Sequence, residues 1–274
     1  MLMDHSLTKD RLRIGNWRWL AIFAVGLLLF GWLLNTPPGL LGKADAIGYA
    51  VCHRIDLRSF HLGDRPLPLC ARCTGMYLGA LLALMFQFFT GRRRSGAPPT
   101  GVLILLAVFV MAFALDGINS FLSLIPGAPH LYEPQNWLRL LTGTGMGLVI
   151  AAALFPGFNQ AVWIKADIRP ALDNWKKLLI LMGCALVLDL LILSENSLIL
   201  YPLALLSAVG VLVILTMVYS MVWIIVLRSE GHFQSLSQLA LPLVGGFGLA
   251  LLQIALLDLG RYLLTGTWDG FHLG

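Results

Sequence analysis

The sequence predicts an all-α, polytopic helical membrane bundle of about seven transmembrane helices, N-terminus in and C-terminus out. Three observations lead there. The 274 residues are 58% hydrophobic and only 12% charged, with a mean hydropathy of +0.81. Several runs of about 18 or more residues carry almost no charge, long enough to cross a bilayer. The basic residues alternate between successive loops, as the topology of such a protein requires. The runs are continuously apolar rather than alternating with period two, which argues against a transmembrane barrel. The formal charge of +5 is dispersed among loops, so it implies contact with a lipid bilayer and no nucleic acid. The expected location is a cell membrane, which the chain crosses several times.

The first span, 18–35, follows Lys9, Arg11, Arg13 and Arg18, a pattern similar to a signal peptide. Its length, and an Ala44-Asp45-Ala46 that lies beyond Pro37-Pro38, predict a retained helix instead. The remaining spans are 74–90, 102–124, 138–155, 178–195, 202–227 and 241–259. Each is about long enough for a roughly 30 Å hydrocarbon core at about 1.5 Å per residue. The sixth is the longest and is expected to tilt. Pro and Gly mark the joints at 35–39, 96–99, 126–129 and 169–170. No linker is long enough to separate soluble domains, so 1–274 reads as a single integral membrane domain with an extracytoplasmic Cys/His loop at 36–73.

Orientation follows from Arg92, Arg93 and Arg94 in the second loop and Lys165, Arg169, Lys176 and Lys177 in the fourth. Loops 125–137 and 196–201 contain no Lys or Arg. The outer first loop breaks this pattern with Lys43, Arg54, Arg58, Arg65 and Arg72. Either a site holds these arginines there, or Asp45, Asp56 and Asp64 pair with them.

That loop also gathers Cys52, His53, His61, Cys70 and Cys73. Two chemistries fit Cys70-x-x-Cys73. Two thiolates at this spacing can share a tetrahedral ion such as zinc or another transition metal, with Cys52 and His53 or His61 completing the shell. The same spacing suits a redox disulfide, with Arg72 lowering a thiolate pKa. Thr74 stands where a haem-attachment motif would need His. Cys184, inside the fifth span, reads as a small buried hydrophobe.

Cys52-His53-Arg54, Arg58-Ser59-Phe60, Gly63 and Leu67-Pro68-Leu69-Cys70-Ala71-Arg72-Cys73-Thr74-Gly75-Met76-Tyr77-Leu78-Gly79 together resemble the domain-of-unknown-function 2085 family of multi-pass membrane proteins, over about residues 48–125. The resemblance implies that Cys52, His53, Arg58, Cys70, Arg72 and Cys73 form the signature. It makes His61 a weaker fourth ligand than His53, and it leaves the reaction open.

Acidic residues inside spans are costly and are functional candidates by default. Asp116, Asp189 and Asp258 are three such residues. With the predicted orientation, Asp116, Asn119, Asp189 and Arg139 fall toward the Cys/His side and are expected to line a polar cavity beneath the loop. The competing expectation is that Asp116 and Asn119 bond neighbouring helices, and that Asp258 pairs with Arg261. His130 and Glu133 are minor candidates for the cluster. Thr142 to Gly147 follows no strand and is no nucleotide loop; its glycines are expected to let helices pack closely. Trp17, Trp19, Trp137, Tyr201 and Trp223 read as interfacial anchors.

Three functions fit this pattern. The first is an enzyme acting on an anionic or lipid-linked small molecule. Its catalytic candidates are Asp116, Asp189 and Arg72, its substrate-binding candidates Arg54, Arg58, Asn119 and Arg139, and its metal ligands Cys52, His53, Cys70 and Cys73. A thiol–disulfide redox protein at the same face belongs with this first class; the second is a metal-ion transporter, and the third a structural or assembly subunit with a stapled loop.

Overall fold

Apolar runs of this length must pair every backbone amide within the segment when lipid is the solvent, and helices do so. The structure, a computed structural model, describes residues 4–270. The side chains of residues 4–17, which include Lys9, Arg11, Arg13 and Trp17, lie outside the described residues. Among the described residues there are eight α-helices: α1 (Asp4–Asn35), α2 (Gly39–Val51), α3 (Ala71–Thr90), α4 (Thr100–Leu122), α5 (Asn136–Val162), α6 (Trp175–Leu193), α7 (Ser197–Val226) and α8 (Ala240–Thr265). The protein is a helical membrane bundle.

Six helices are long and apolar enough to cross a membrane, against about seven expected. The difference is α6, which covers the fifth predicted run. At 19 residues it carries Lys176, Lys177 and Asp189, and these charges interrupt its apolar stretch. The large apolar side chains left exposed, such as Leu198, Leu263 and Leu264, give the bundle a lipid-facing surface. Trp137, Tyr201 and Trp223 are exposed near helix ends, where anchors belong, and Trp19 is exposed where the apolar stretch of α1 begins.

The core is built on α5, of whose span 61% is buried against 6% for α1. Its most extensive contact is with α3, and glycine makes that contact possible. A Cβ on Gly143 would overlap the Arg72 carbonyl, and one on Gly147 would overlap the Met76 carbonyl. From the other side, a Cβ on Gly75 would meet the Leu140 carbonyl. Small residues at this spacing let two backbones touch, and here they fix Arg72 and Cys73 against α5.

Short pairings tie the loops at each end. At one end β3 (Arg94–Gly96) runs parallel to β4 (Asp167–Pro170), and Arg93 donates to the Gln234 carbonyl at 2.7 Å. Arg94 and Lys177 both pair with Asp173. At the other end lies the hairpin of β1 (His61–Leu62) and β2 (Arg65–Pro66). There Asn136 reaches the Leu57 carbonyl at 3.2 Å and Tyr49 the Thr267 carbonyl at 2.8 Å. The predicted basic loops and the Cys/His loop therefore occupy opposite ends.

Three expectations need correction. The 36–73 stretch is not all loop, because α2 occupies its first third. Pro37-Pro38-Gly39 reads as a turn, and Lys43 and Asp45 interrupt the short apolar run, which hides a helix of 13 residues whose buried face carries Ala44, Ile47 and Gly48. Cys184 is exposed rather than buried. It lies on the face of α6 that also exposes Ile180 and Val187, an apolar surface on which a weakly polar thiol incurs little cost. The span that was expected to open at residue 74 begins at Ala71, with Cys70 as its N-cap.

Candidate metal centre

Three cysteines from two helix ends meet in one place. Cys52 caps the C-terminus of α2, its N–H bonded to the Gly48 carbonyl at 2.8 Å. Gly48 lies so close to the Pro68 carbonyl that a Cβ there would overlap it, which presses the end of α2 onto the segment leading into α3. Cys70 then stands at the N-cap of α3, and its N–H points at Cys52 Sγ at 3.4 Å. Cys73 follows one helical turn later, on the same face as Cys70 by its i,i+3 spacing.

The three Sγ atoms all lie within 4.8 Å of one another. Among the described residues this is the one group of three or more His, Cys, Asp or Glu side chains placed to share a metal ion. Cys52 and Cys70 are buried among Ala46, Ile47, Leu69, Val211, Leu251 and Ile254. Sulfurs around a tetrahedral zinc at about 2.3 Å stand about 3.8 Å apart, so a small closure of the trio suffices. The electrostatics suit a cation. Hydrogen bonding from the Cys70 thiol, and next from the Cys73 thiol, holds Cys52 well below the ordinary thiol range. Cys70 is pushed up to about 12, chiefly by its bond to Cys52. One negative charge is thus favoured on Cys52, held there by a Cys70 thiol that stays protonated. All four cysteines are free.

His53, the expected fourth ligand, is not in this group. Its Nδ1 accepts the Ile55 N–H at 3.1 Å, and the chain turns sharply after it through Arg54 at φ 51°, a region non-glycine residues seldom enter. Burial first, and then Arg58, Arg72 and Arg139, disfavour its imidazolium against the pull of Cys52.

Those three arginines form the other half of the site. Arg72 pairs with Asp116 and also donates to the Asp116 backbone carbonyl at 3.1 Å. Arg58 donates to the Ser120 carbonyl at 2.7 Å, and Arg139 to Ser120 Oγ at 3.0 Å. Arg58 and Arg139 both lie within electrostatic reach of Arg72, Asp116 and Cys70. Three guanidinium groups thus face one carboxylate beside the thiol trio. Asp116 is further held by Tyr132 Oη at 2.8 Å and Thr142 Oγ1 at 3.3 Å. Burial first, and then Asp116, pushes the Tyr132 phenol up to about 12.

The other candidates are placed differently. Asn119 secures the 123–135 loop, accepting from the Leu131 N–H at 2.6 Å and donating to the Tyr132 carbonyl at 2.9 Å. Asp189 is buried on α6 and accepts from Thr144 Oγ1 at 2.6 Å, a contact within the α5–α6 packing. Arg54 turns toward α8, bonded to Asp45 at 2.9 Å and the Trp268 carbonyl at 3.1 Å. Asp45 pairs with Arg65 as well, so part of the basic excess in the first loop is neutralised locally. His61 bonds Asp56, and His130 bonds Glu133, in exposed pairs. Asp258 accepts from Trp32 Nε1 at 3.0 Å. Arg261, its expected partner, donates to the Tyr49 and Cys52 carbonyls at 2.7 Å each. Sequence reasoning did not find Tyr132, Thr142, Ser120 or Thr144, since neutral hydroxyls, in a loop or in an apolar run, carry no signal of their own.

The buried pair gives a prediction. Asp116→Ala strands the Arg72 charge and is expected to destabilise the protein by about 3 kcal/mol. Asp189→Asn, whose partner is a hydroxyl, is expected to cost about 1 kcal/mol. Thermal unfolding of the two variants in detergent measures the contrast.

A family model described as "Predicted membrane protein (DUF2085)" matches residues 52–153, an interval that opens on Cys52 and includes both halves of the site. The chain is similar to an uncharacterised protein of Methanocaldococcus jannaschii, 27% identical over 120 residues, which cover 44% of this chain and 71% of that protein. It is also similar to an uncharacterised protein of Methanothermobacter thermautotrophicus, 31% identical over 101 residues, covering 37% of this chain and 81% of that protein. No solved structure matches the chain.

Proposed function

The chain belongs to the domain-of-unknown-function 2085 family of predicted membrane proteins, and from that premise we propose that it is a membrane metalloenzyme acting on an anionic or lipid-linked small molecule. Cys52, Cys70 and Cys73 hold a thiophilic ion such as zinc, and Arg58, Arg72 and Arg139 bind the anionic group beside it. The site works at the extracytoplasmic face of one membrane domain, N-terminus in and C-terminus out.

The observation that carries this reading is the convergence of three sulfurs within 4.8 Å, with His53 turned to its own backbone. Structural zinc sites are closed by four protein ligands, whereas three protein ligands leave a position for an exchangeable one. Three thiolates and a divalent ion carry one net negative charge, and arginines within reach of Cys70 offset it. A metal held by Cys52, Cys70 and Cys73 would supply Lewis acidity there. The chain's own residues bury Cys52 and Cys70, orient Arg72 through Asp116, and supply bidentate donors for a phosphate or carboxylate.

Cobalt substitution tests the reading. Detergent-purified protein loaded with Co2+ is expected to show thiolate-to-cobalt charge transfer and tetrahedral ligand-field bands, both lost in Cys73→Ser. Inorganic phosphate is expected to perturb the ligand-field bands, with Arg72→Lys weakening that response by about tenfold. Weak octahedral bands with no charge transfer would overturn the metal site. A tetrahedral spectrum insensitive to phosphate would overturn the anion site.

A second reading, thiol–disulfide exchange, draws on one specific feature: Cys70-x-x-Cys73 opens a helix beside the low-pKa Cys52. It predicts no metal, and a disulfide that forms and breaks with added oxidant and reductant.

A further inference from the structure

A second polar site lies outside the matched interval, between α1 and α8. A cavity of about 660 Å³ opens there, lined by Trp32, Asp258, Tyr262 and Trp268 over an apolar floor that includes Leu27 and Leu28. Asp258 is 3% exposed. Its Oδ2 accepts from Trp32 Nε1 at 3.0 Å, while its buried Oδ1 has no hydrogen-bond partner among the described residues. A buried carboxylate oxygen without a partner is costly, and one inside a bundle calls for an explanation.

Its surroundings indicate what it receives. The rings of Tyr262 and Trp268 stand 5.5 Å apart and tilted, and Trp268 also contacts Tyr49 at 5.2 Å. Tyr49 already carries one cation over its face, the Arg261 guanidinium at 4.0 Å. One charge acts on Asp258 electrostatically, that of Arg261, and a second, Lys43, is bonded to Thr36 of the cavity lining. Arg261, on the same helix, donates to carbonyls at the end of α2, and Lys43 is held by Thr36 at 2.9 Å and by the Leu33 carbonyl. Neither bonds Oδ1. Asp258 lies about 10 Å below the end of α8, and Trp32 about 5 Å below the end of α1, at about 1.5 Å per residue. Both therefore lie near their helix ends, at the same end of the bundle as the cysteine trio.

We propose that this cavity binds an organic ammonium ion carried on an apolar chain, its charge paired with Asp258 Oδ1 and caged by the faces of Trp268 and Tyr262. Aromatic faces closed by a carboxylate select ammonium groups, and the Leu27–Leu28 floor suits the chain. The same chemistry could arrive as a lipid headgroup or as a free amine.

The test uses the full chain in nonionic detergent and reads tryptophan fluorescence, since Trp32 and Trp268 line the cavity. Dodecyltrimethylammonium is expected to bind saturably and about tenfold tighter than uncharged dodecanol. Asp258→Asn is expected to abolish that preference while leaving the gel-filtration profile unchanged. Should Asp258→Asn not fold, Trp268→Leu serves instead, with an expected loss of about fivefold. Tetramethylammonium and nanodiscs of phosphatidylethanolamine or phosphatidylglycerol separate the sources. Competition by tetramethylammonium assigns a free amine. Enrichment of phosphatidylethanolamine over phosphatidylglycerol, lost in the variant, assigns a lipid headgroup. Equal binding of the charged and uncharged dodecyl probes, or a preference that survives both substitutions, overturns the proposal.

Discussion

Cys70→Ser protein is expected to purify with no stoichiometric metal and with affinity reduced more than about 100-fold, beyond what losing an outer-shell partner does. The expectation follows from position. Cys70 is buried at the head of α3, its sulfur within 4.8 Å of both others, and a trio reduced to two thiolates loses most of its hold on a thiophilic ion. Cys184→Ser is the matched control. That thiol is exposed on α6 and takes no part in the trio, so metal content and thermal stability are expected to stay at the parent values. Metal analysis and unfolding temperature on the two proteins side by side measure the difference. Equal metal content in both variants would remove Cys70 from the site.

Gly147→Val is expected to destabilise the bundle by about 3 kcal/mol, although it lies two turns from the cysteines. Any Cβ at Gly147 meets the Met76 carbonyl and the Ala80 amide, which are backbone atoms that cannot rotate away. The helices must separate, and α3 then carries Arg72 and Cys73 with it. Lower accumulation, a lower unfolding temperature and weakened metal binding should appear together. Gly183→Val makes the comparison, since a Cβ at Gly183 meets nothing within 4 Å and should change none of the three. An unaffected Gly147→Val protein would mean that the α3–α5 contact does not set the geometry of the site.

Hydropathy made most of the fold legible, because length and apolarity are what a bilayer demands. Helices α1, α3, α4, α5, α7 and α8 lie where apolar runs predict them. Helix α2 was not legible. It is short, follows two prolines, and is stabilised by packing on α7 and α8 rather than by a pattern of its own. Within the site, the cysteines stood out because polar residues are scarce in such a chain. Their convergence depends on Gly48 resting against Pro68, a tertiary contact with no sequence signature. The intramembrane carboxylates were visible as candidates, but their partners were not. Spacing alone does not distinguish Asp116, which holds Arg72, from Asp189, which holds a threonine. Asp258 was expected to pair with Arg261 three residues away, and it is Trp32, from the far end of the chain, that reaches it. Near neighbours are what a sequence shows; a helix that arrives from elsewhere is not.

Metal analysis of detergent-purified protein, with thiols counted after denaturation in chelator on the same sample, tests the central claim most directly. The account predicts one thiophilic ion per chain and four reactive thiols, those of Cys52, Cys70, Cys73 and Cys184. Metal-free protein with two thiols missing would contradict it and assign the trio to disulfide chemistry.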